Sequence, residues 1–198
     1  MKAKKQKRLE RHDALAAARA SGEMVRFYTR VEWDYWNYGY VFGLTDDFAL
    51  LQVVNKDVFL DGYSVFPISE VRGVEAASDA FLARALTLYG DAPSPPNGIS
   101  LDDFPSLLSS ADVHFPLIAV EVARKVPDRL FIGRIAGLKR RALLLREITP
   151  NAEWDEKPTL YRFKDITQVD FGGRYEAALW RVAQTDGGGV RKYRLSEG

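Results

Sequence analysis

Two stretches of the chain are similar to each other, and this internal similarity constrains the fold before any motif does. Residues 39–54 align without a gap on residues 133–148. Residues 66–74 then align on residues 161–169 after one inserted residue, as is tolerated in a loop between strands. The similarity predicts two copies of one small module, and a coincidence between two strand-turn-strand patterns is the alternative. The positions in register include Gly39/Gly133, Gly43/Gly137, Leu44/Leu138, Leu50/Leu144 and Leu51/Leu145.

The composition is typical of a packed globular protein, with 46% hydrophobic and 12% aromatic residues among 198. Each copy spans roughly 60 residues and buries too little surface to be robust alone, so we expect the copies to pack on each other or on the helices between them. The chain has no cysteine, which excludes disulfides and thiolate chemistry. It also lacks a membrane-spanning apolar run and an apolar N-terminal signal core, so we expect a soluble, cytoplasmic protein.

Charge is distributed unevenly along the chain although the net charge is only +1. Residues 1–22 hold seven Lys/Arg and two acidic residues, and residues 114–198 hold sixteen and eleven. Residues 23–113 are acidic, with five Lys/Arg and fourteen Asp/Glu. Such asymmetry indicates either a polyanionic partner or the mutual attraction of two complementary halves.

Periodicity and turn residues predict five regions. We expect a helix between Ser78 and Tyr89 capped by Ser78, a second helix opening at Ser100, and a turn at Asp61-Gly62. The segment from Tyr175 to Val182 fits either a final strand or a short helix. The regions are a basic N-terminal helical arm (1–22), a first, acidic module (23–76), a helix-linker-helix connector (77–115), a second, basic module (116–183) and a flexible tail (184–198).

Five short strands with bends at central glycines predict a mainly β protein built from two small SH3-like barrels. Within that class, a basic helix, a strand with a central glycine, an acidic turn, a hydrophobic strand and short closing strands resemble the Sm-like barrel. The resemblance covers residues 24–75 and 117–182, and it extends to bacterial proteins of uncharacterised activity that carry such modules in tandem. It implies two five-stranded barrels, an N-terminal helix and two linking helices.

The Sm family binds uridine-rich RNA through an Asp-x-hydrophobe-x-Asn segment and an Arg-Gly pair. The matching segment starts at Asp46, but Leu50 replaces the Asn, and the second copy (140–144) has neither the Asp nor the Asn. The pair Arg72-Gly73 lies three residues beyond the family's position. The resemblance therefore implies the fold more strongly than it implies RNA binding.

The residues that could perform catalysis or bind a metal do not form a recognisable set. His12 and His114 have no partner at ligand spacing, and carboxylate clusters such as Asp46-Asp47 and Asp102-Asp103 fit turns and helix caps better than a cation site. We find no positioned acid, base or nucleophile. The sequence predicts no catalytic residue, no metal and no cofactor, and a deep pocket with convergent polar groups would revive an enzymatic function.

One aromatic segment is a candidate partner surface. Exposed aromatic side chains stack on bases or grip a peptide, whereas cross-strand packing or burial between the modules is the alternative. The residues are Trp33, Tyr35, Trp36, Tyr38 and Tyr40.

Two basic segments are candidate nucleic-acid contacts. Clustered Lys and Arg neutralise phosphates, although a charged turn and a solvated arm are ordinary solubility features. The residues are Lys4, Lys5, Lys7 and Arg8 in the arm and Lys139, Arg140 and Arg141 at a hairpin tip, with Arg191-Lys192 in the tail as a further contact.

The repeat, the aromatic segment and the lack of catalytic groups favour a non-enzymatic binding or scaffold protein. Its partner would be another protein or a second copy of the chain. RNA or DNA binding through the basic arm and the 139–141 tip is the alternative.

Overall fold

The computed structural model describes residues 2–30, 37–77 and 79–185, with side chains from Gln6 onward. The chain divides into two compact units, Met1–Asp103 and Phe104–Gly198. The predicted mainly β class is confirmed, because ten antiparallel strands and four α-helices make up the described chain. Among the described residues, no helix has both the length and the apolar character that crossing a membrane requires.

The first unit consists of an opening helix, five strands and a closing helix. Its strands are ordered β5-β1-β2-β3-β4, and every neighbouring pair is antiparallel. The elements are α1 (Lys2–Ser21), β1 (Met24–Thr29), β2 (Asn37–Leu44), β3 (Phe48–Val54), β4 (Leu60–Pro67), β5 (Val71–Ala76) and α2 (Ala80–Tyr89).

The second unit has the same succession of elements. Its strands are ordered β10-β6-β7-β8-β9, again antiparallel throughout. The elements are α3 (Phe104–His114), β6 (Ile118–Glu121), β7 (Leu130–Lys139), β8 (Ala142–Glu147), β9 (Thr159–Arg162), a 3-10 helix (Phe163–Asp165), β10 (Gln168–Phe171) and α4 (Arg174–Thr185). The segment 175–182 is therefore helical, and the two helices predicted as linkers fall one in each unit.

Strand register agrees between the two units residue by residue. Gly39 pairs with Val53 in the first unit, and Gly133 pairs with Glu147 in the second, an offset of 94 on both strands. On β4 and β9 the offset is 95, the value that the sequence comparison gives after its inserted residue. Both β2–β3 and β7–β8 shift register at the same place, between Val41 and Gly43 and between Ile135 and Gly137.

Two glycines allow the close approach of strands in these hairpins. A Cβ on Gly39 would lie 2.6 Å from the carbonyl oxygen of Gln52. A Cβ on Gly133 would overlap the carbonyl oxygen of Arg146, the residue at the matching position. Since backbone atoms cannot move aside as a flexible side chain does, both positions require glycine.

The core of the first unit lies between α1 and the sheet. Leu15 and Ala18 of α1 pack with Phe27, Leu51 and other strand residues. These two helix positions are three residues apart and share one face, so α1 buries a narrow stripe and exposes its charged remainder. In the second unit, the shorter helix α3 buries Leu107, Leu108 and Ala111.

Three local expectations were wrong. Asp61-Gly62 forms no turn; it lies inside β4, where Gly62 adopts φ +66° at a register shift, and the turn falls earlier, at Val58 with φ +64°. Asp79 caps α2, because its Oδ1 accepts hydrogen bonds from the backbone N–H groups of Phe81 and Leu82; Ser78 lies outside the described residues. The helix expected from Ser100 begins at Phe104.

Candidate functional site

The predicted basic tip lies in the turn between β7 and β8, and two cations from a neighbouring strand and helix join it. Arg162 pairs with Ala142 at the start of β8, and the backbone N–H of Phe163 donates to the carbonyl of Arg141. This second contact brings Lys164 of the 3-10 helix to the same end of the sheet. We call this set the basic tip; all its members are exposed: Lys139, Arg140, Arg141, Arg162 and Lys164.

Within the described part of the chain, Asp165 interacts electrostatically with Arg162 and Lys164 of the basic tip but forms its ion pair with Lys125. Among the described residues, no carboxylate forms an ion pair within 4.0 Å with any of the five cations. The neighbouring carboxylate, Asp165, accepts a hydrogen bond from Lys125 at 2.6 Å. That bond holds the pKa of Asp165 below its usual value.

Of the predicted contacts in the N-terminal helix, Arg8 lies against acidic residues, and the side chains of Lys4 and Lys5 lie outside the described part of the chain. Lys4 and Lys5 belong to α1, and Lys7 is exposed. Arg8 donates to the backbone carbonyl of Asp46 and pairs with the carboxylate of Asp47 at 3.3 Å. Asp46 and Asp47, at the hairpin tip of the first unit, therefore already bind Arg8.

The described part of the predicted aromatic surface is covered by a helix. Tyr38 and Tyr40 are half-buried and pack in a cluster that includes Leu82 and Leu86 of α2. Burial raises the pKa of Tyr40. This placement matches the packing alternative for these two residues, whereas Trp33, Tyr35 and Trp36 lie outside the described residues.

A cluster of tryptophans and arginines lies at the matching place in the second unit. Arg134 and Arg146 are directly opposite each other on β7 and β8. The guanidinium carbon of Arg134 lies 5.5 Å from the ring centre of Trp180 and 5.9 Å from that of Trp154; the Arg146 guanidinium lies 5.6 Å from Trp154. The two indoles meet edge to face at 6.3 Å.

The sequence comparison indicates this cluster only indirectly. Arg134 stands at the position that matches Tyr40 of the aromatic segment, but nothing near it in the sequence points to the two tryptophans. Trp154 follows β8 in a loop and reaches the sheet through an isolated bridge to Ile148. Trp180 comes from α4, more than thirty residues beyond β8. Tertiary packing, not spacing, brings the four side chains together.

The outward face of α2 is a third candidate surface. Phe81 and Leu88 are seven residues apart on one helix face, and their exposed fractions are 70% and 77%. Tyr89 beside them is 61% exposed and stacks on Phe59 with ring centres 5.1 Å apart. The sequence predicted this helix but not its second apolar face.

No catalytic or metal-binding group stands out among the described residues. The Tyr161 hydroxyl donates to Glu147 at 2.6 Å, and burial together with this bond raises the pKa of the tyrosine well above its usual value. Such a tyrosine is a hydrogen-bond donor that stays protonated. Within the described part of the chain, no three His, Cys, Asp or Glu residues are grouped to hold a metal ion.

Family models, curated proteins and solved structures were all compared with the chain, and none of them matches. Three surfaces of the molecule are candidates for a function: the basic tip, the tryptophan-arginine cluster and the outward face of α2.

Proposed function

We propose that the two units are copies of one Sm-like barrel module and that the protein is a non-enzymatic binding protein that acts through protein-protein contacts. The shared strand order and register support the copy relationship. The observation that carries the binding function is the apolar outward face of α2. Its partner is another protein or a second copy of the chain.

The face of α2 is unusual for a helix that already has a buried side. Leu82 and Leu86 fill the inner face, and α2 then presents Phe81 and Leu88 to solvent. A surface helix normally places polar residues opposite its buried stripe. Contiguous exposed apolar side chains mark interaction sites more often than isolated ones do.

A paired substitution tests this function. Phe81→Ser with Leu88→Ser removes the apolar face and leaves Leu82 and Leu86 in place. The control is Val113→Ser, because Val113 is 77% exposed but belongs to α3 of the other unit. Sedimentation velocity measures self-association, and cross-linking followed by mass spectrometry identifies other partners.

We expect the wild-type chain and the Val113 variant to form the same complex, whether with itself or with another protein, and the double variant to lose it. A double variant that associates as the wild type does would overturn the role of α2. A wild-type chain that remains monomeric and yields no specific cross-link would overturn protein-protein contact as the function.

RNA or DNA binding is the second candidate, and the basic tip favours it. Five exposed cations without an ion-pair partner among the described residues form a local positive potential that attracts a polyanion. Arg8 contributes less, since it already pairs with Asp47. The residues that read bases in Sm proteins are missing or displaced, so binding would depend on the phosphate backbone and not on sequence.

Fluorescence anisotropy with a single-stranded oligonucleotide in a salt series tests this candidate. If all five cations contact phosphates, the logarithm of affinity should fall with the logarithm of salt with a slope of about −3.5. Lys139→Ala, Arg140→Ala and Arg141→Ala together should abolish most binding. The control removes the same charge elsewhere, through Arg129→Ala, Lys157→Ala and Arg181→Ala. Equal loss in both triple variants, or no wild-type binding at low salt, would remove this candidate.

A further inference from the structure

The arginine pair of the second unit is an unfavourable arrangement for an isolated sheet. Arg134 and Arg146 face each other directly across β7 and β8. Like charges that are directly opposite on neighbouring strands repel. Both side chains are half-buried, so solvent screens this repulsion less than it would at a fully exposed site.

The described part of the chain does not neutralise this pair. No carboxylate there lies within 4.0 Å of either guanidinium in an ion pair. Arg146 donates through Nε to the backbone carbonyl of Asp155 at 3.0 Å. The Arg134 side chain makes no hydrogen bond to any described residue, although a guanidinium carries five N–H donors. Asp112 of α3 acts on Arg134 only over a longer distance.

The first unit has uncharged residues at the positions that match Arg134 and Arg146 in its own β2–β3 hairpin. Tyr40 and Gln52 replace the two arginines there, and Gln52 Oε1 accepts a hydrogen bond from the backbone N–H of Ser94 at 2.9 Å. Leu60 pairs with Val54 as Trp154 pairs with Ile148, so a leucine stands where the second unit has Trp154. Packing alone therefore does not require arginine at these positions. In the second unit, half-buried Arg134 carries N–H donors that no described residue accepts, next to the apolar cluster that α4 buries.

We propose that Arg134 and Arg146 bind the phosphate group of a phosphate monoester, with Trp154 and Trp180 beside the group that carries it. A phosphate monoester has a charge between −1.5 and −2 near neutral pH, about the charge of the two guanidiniums, whereas a carboxylate neutralises only one. Guanidinium donors match phosphate oxygens in a bidentate geometry. Indole rings offer flat faces to a planar group such as a nucleobase. This site does not depend on the protein-protein function proposed above.

Calorimetric titration of the full-length protein with three probes tests the proposal. The probes are inorganic phosphate, uridine 5′-monophosphate and uridine, each in a low-salt buffer free of phosphate. Arg146→Gln and Arg134→Gln are the test variants; the first copies the residue that the other unit uses. Arg129→Gln is the matched control, because Arg129 also lies over an aromatic ring, that of Phe131 at 4.8 Å, but faces no second arginine. Circular dichroism verifies that each variant is folded.

We expect binding of the monophosphate in the wild type and in Arg129→Gln. A charge-assisted hydrogen bond contributes enough that each test variant should weaken binding at least about tenfold. Inorganic phosphate binding as tightly as the monophosphate would identify free phosphate as the ligand; tighter monophosphate binding with a change in tryptophan fluorescence would identify a ligand with a planar group.

Three results would overturn the proposal: no binding of either phosphate probe by the wild type at millimolar concentration, binding of uridine as tight as that of the monophosphate, or unchanged binding in a folded Arg146→Gln variant. The oligonucleotide experiment on the basic tip changes neither arginine, and the α2 variants leave the second unit untouched. The three proposals therefore fail or succeed separately.

Discussion

In the first unit, α2 covers its sheet with leucines that contact tyrosines. In the second unit, α4 buries Leu179 and Ala183 and also meets one arginine, Arg134, through Trp180. Both faces use the same strand positions in the same register. The glycines and the buried strand residues that define the sheets match between the units, and the residues under the closing helices do not. The framework is thus preserved in both units, while the face that carries chemistry differs.

The hairpin tips show the same contrast. Asp46 and Asp47 at the first tip contact Arg8 of the long helix α1. The second unit opens with α3, which has 11 residues where α1 has 20. Arg140 and Arg141 have no ion-pair partner among the described residues. A charge that one unit satisfies internally therefore remains available for a partner in the other.

We expect the largest loss of stability from alanine at Gly39 or Gly133. If the two sheets are built alike, both substitutions should destabilise their units equally. Each Cβ would meet a carbonyl oxygen of the neighbouring strand, so we expect each substitution to lower the free energy of unfolding of its own unit by about 3 kcal/mol. Native-state hydrogen exchange of the strand amides measures each unit separately. Gly90, where a Cβ would meet nothing within 4 Å, provides a control for the loss of glycine itself, although its φ of +73° adds local strain.

Truncation of the covering side chains should separate the two faces. Leu86 is 3% exposed, so Leu86→Ala should lower the free energy of unfolding of the first unit by about 2.5 kcal/mol through lost burial and a residual cavity. Trp180 is only half-buried, so Trp180→Ala should have a smaller effect on the second unit despite its larger volume. Thermal and denaturant unfolding measure the two losses, and hydrogen exchange assigns each loss to its unit. An equal or greater loss in Trp180→Ala would mean that Trp180 supports the buried cluster around Leu179 and Ala183 as strongly as Leu86 supports its own.

A smaller loss of stability is expected from removing the N-cap of α2, the helix that covers the first sheet. Asp79 Oδ1 accepts from the N–H groups of Phe81 and Leu82 at 3.0 and 3.1 Å. Asp79→Ala should lower the free energy of unfolding by about 1 kcal/mol, and Asp79→Ser should retain most of it. Amide exchange in the first turn of α2 is the measurement. Unchanged exchange in the alanine variant would show that packing of Leu82, and not the cap, holds the start of the helix.

The alignment predicted the strand register because it rests on residues that a sheet cannot vary freely, such as Gly39 and the leucines at 50 and 51. The turn residues Asp61-Gly62 were misleading because the same dipeptide suits a bulge, where one glycine at positive φ lies inside a strand. The basic tip was visible because its three central residues are consecutive. The roles of Trp154 and Trp180 were not visible in the sequence, because only tertiary packing brings a loop and a helix onto β7 and β8.

The smallest change in stability is expected at the acidic residues that precede β5 and β10. Glu70 is buried and lies 3.8 Å from Arg30, whereas the matching Asp165 bonds Lys125 at 2.6 Å in a more exposed position. The bond lowers the pKa of Asp165 in the folded state, so its stabilising contribution is present above the carboxyl's ordinary pKa and is lost as the pH falls through the lowered value. Because Lys125 is exposed, Lys125→Met should cost at most about 0.5 kcal/mol near pH 7. The difference from the wild type should shrink toward zero in acid, and Lys157→Met should show no such trend. A difference that stays constant down to pH 2 would mean that Lys125 stabilises the unit through its aliphatic chain and not through its charge.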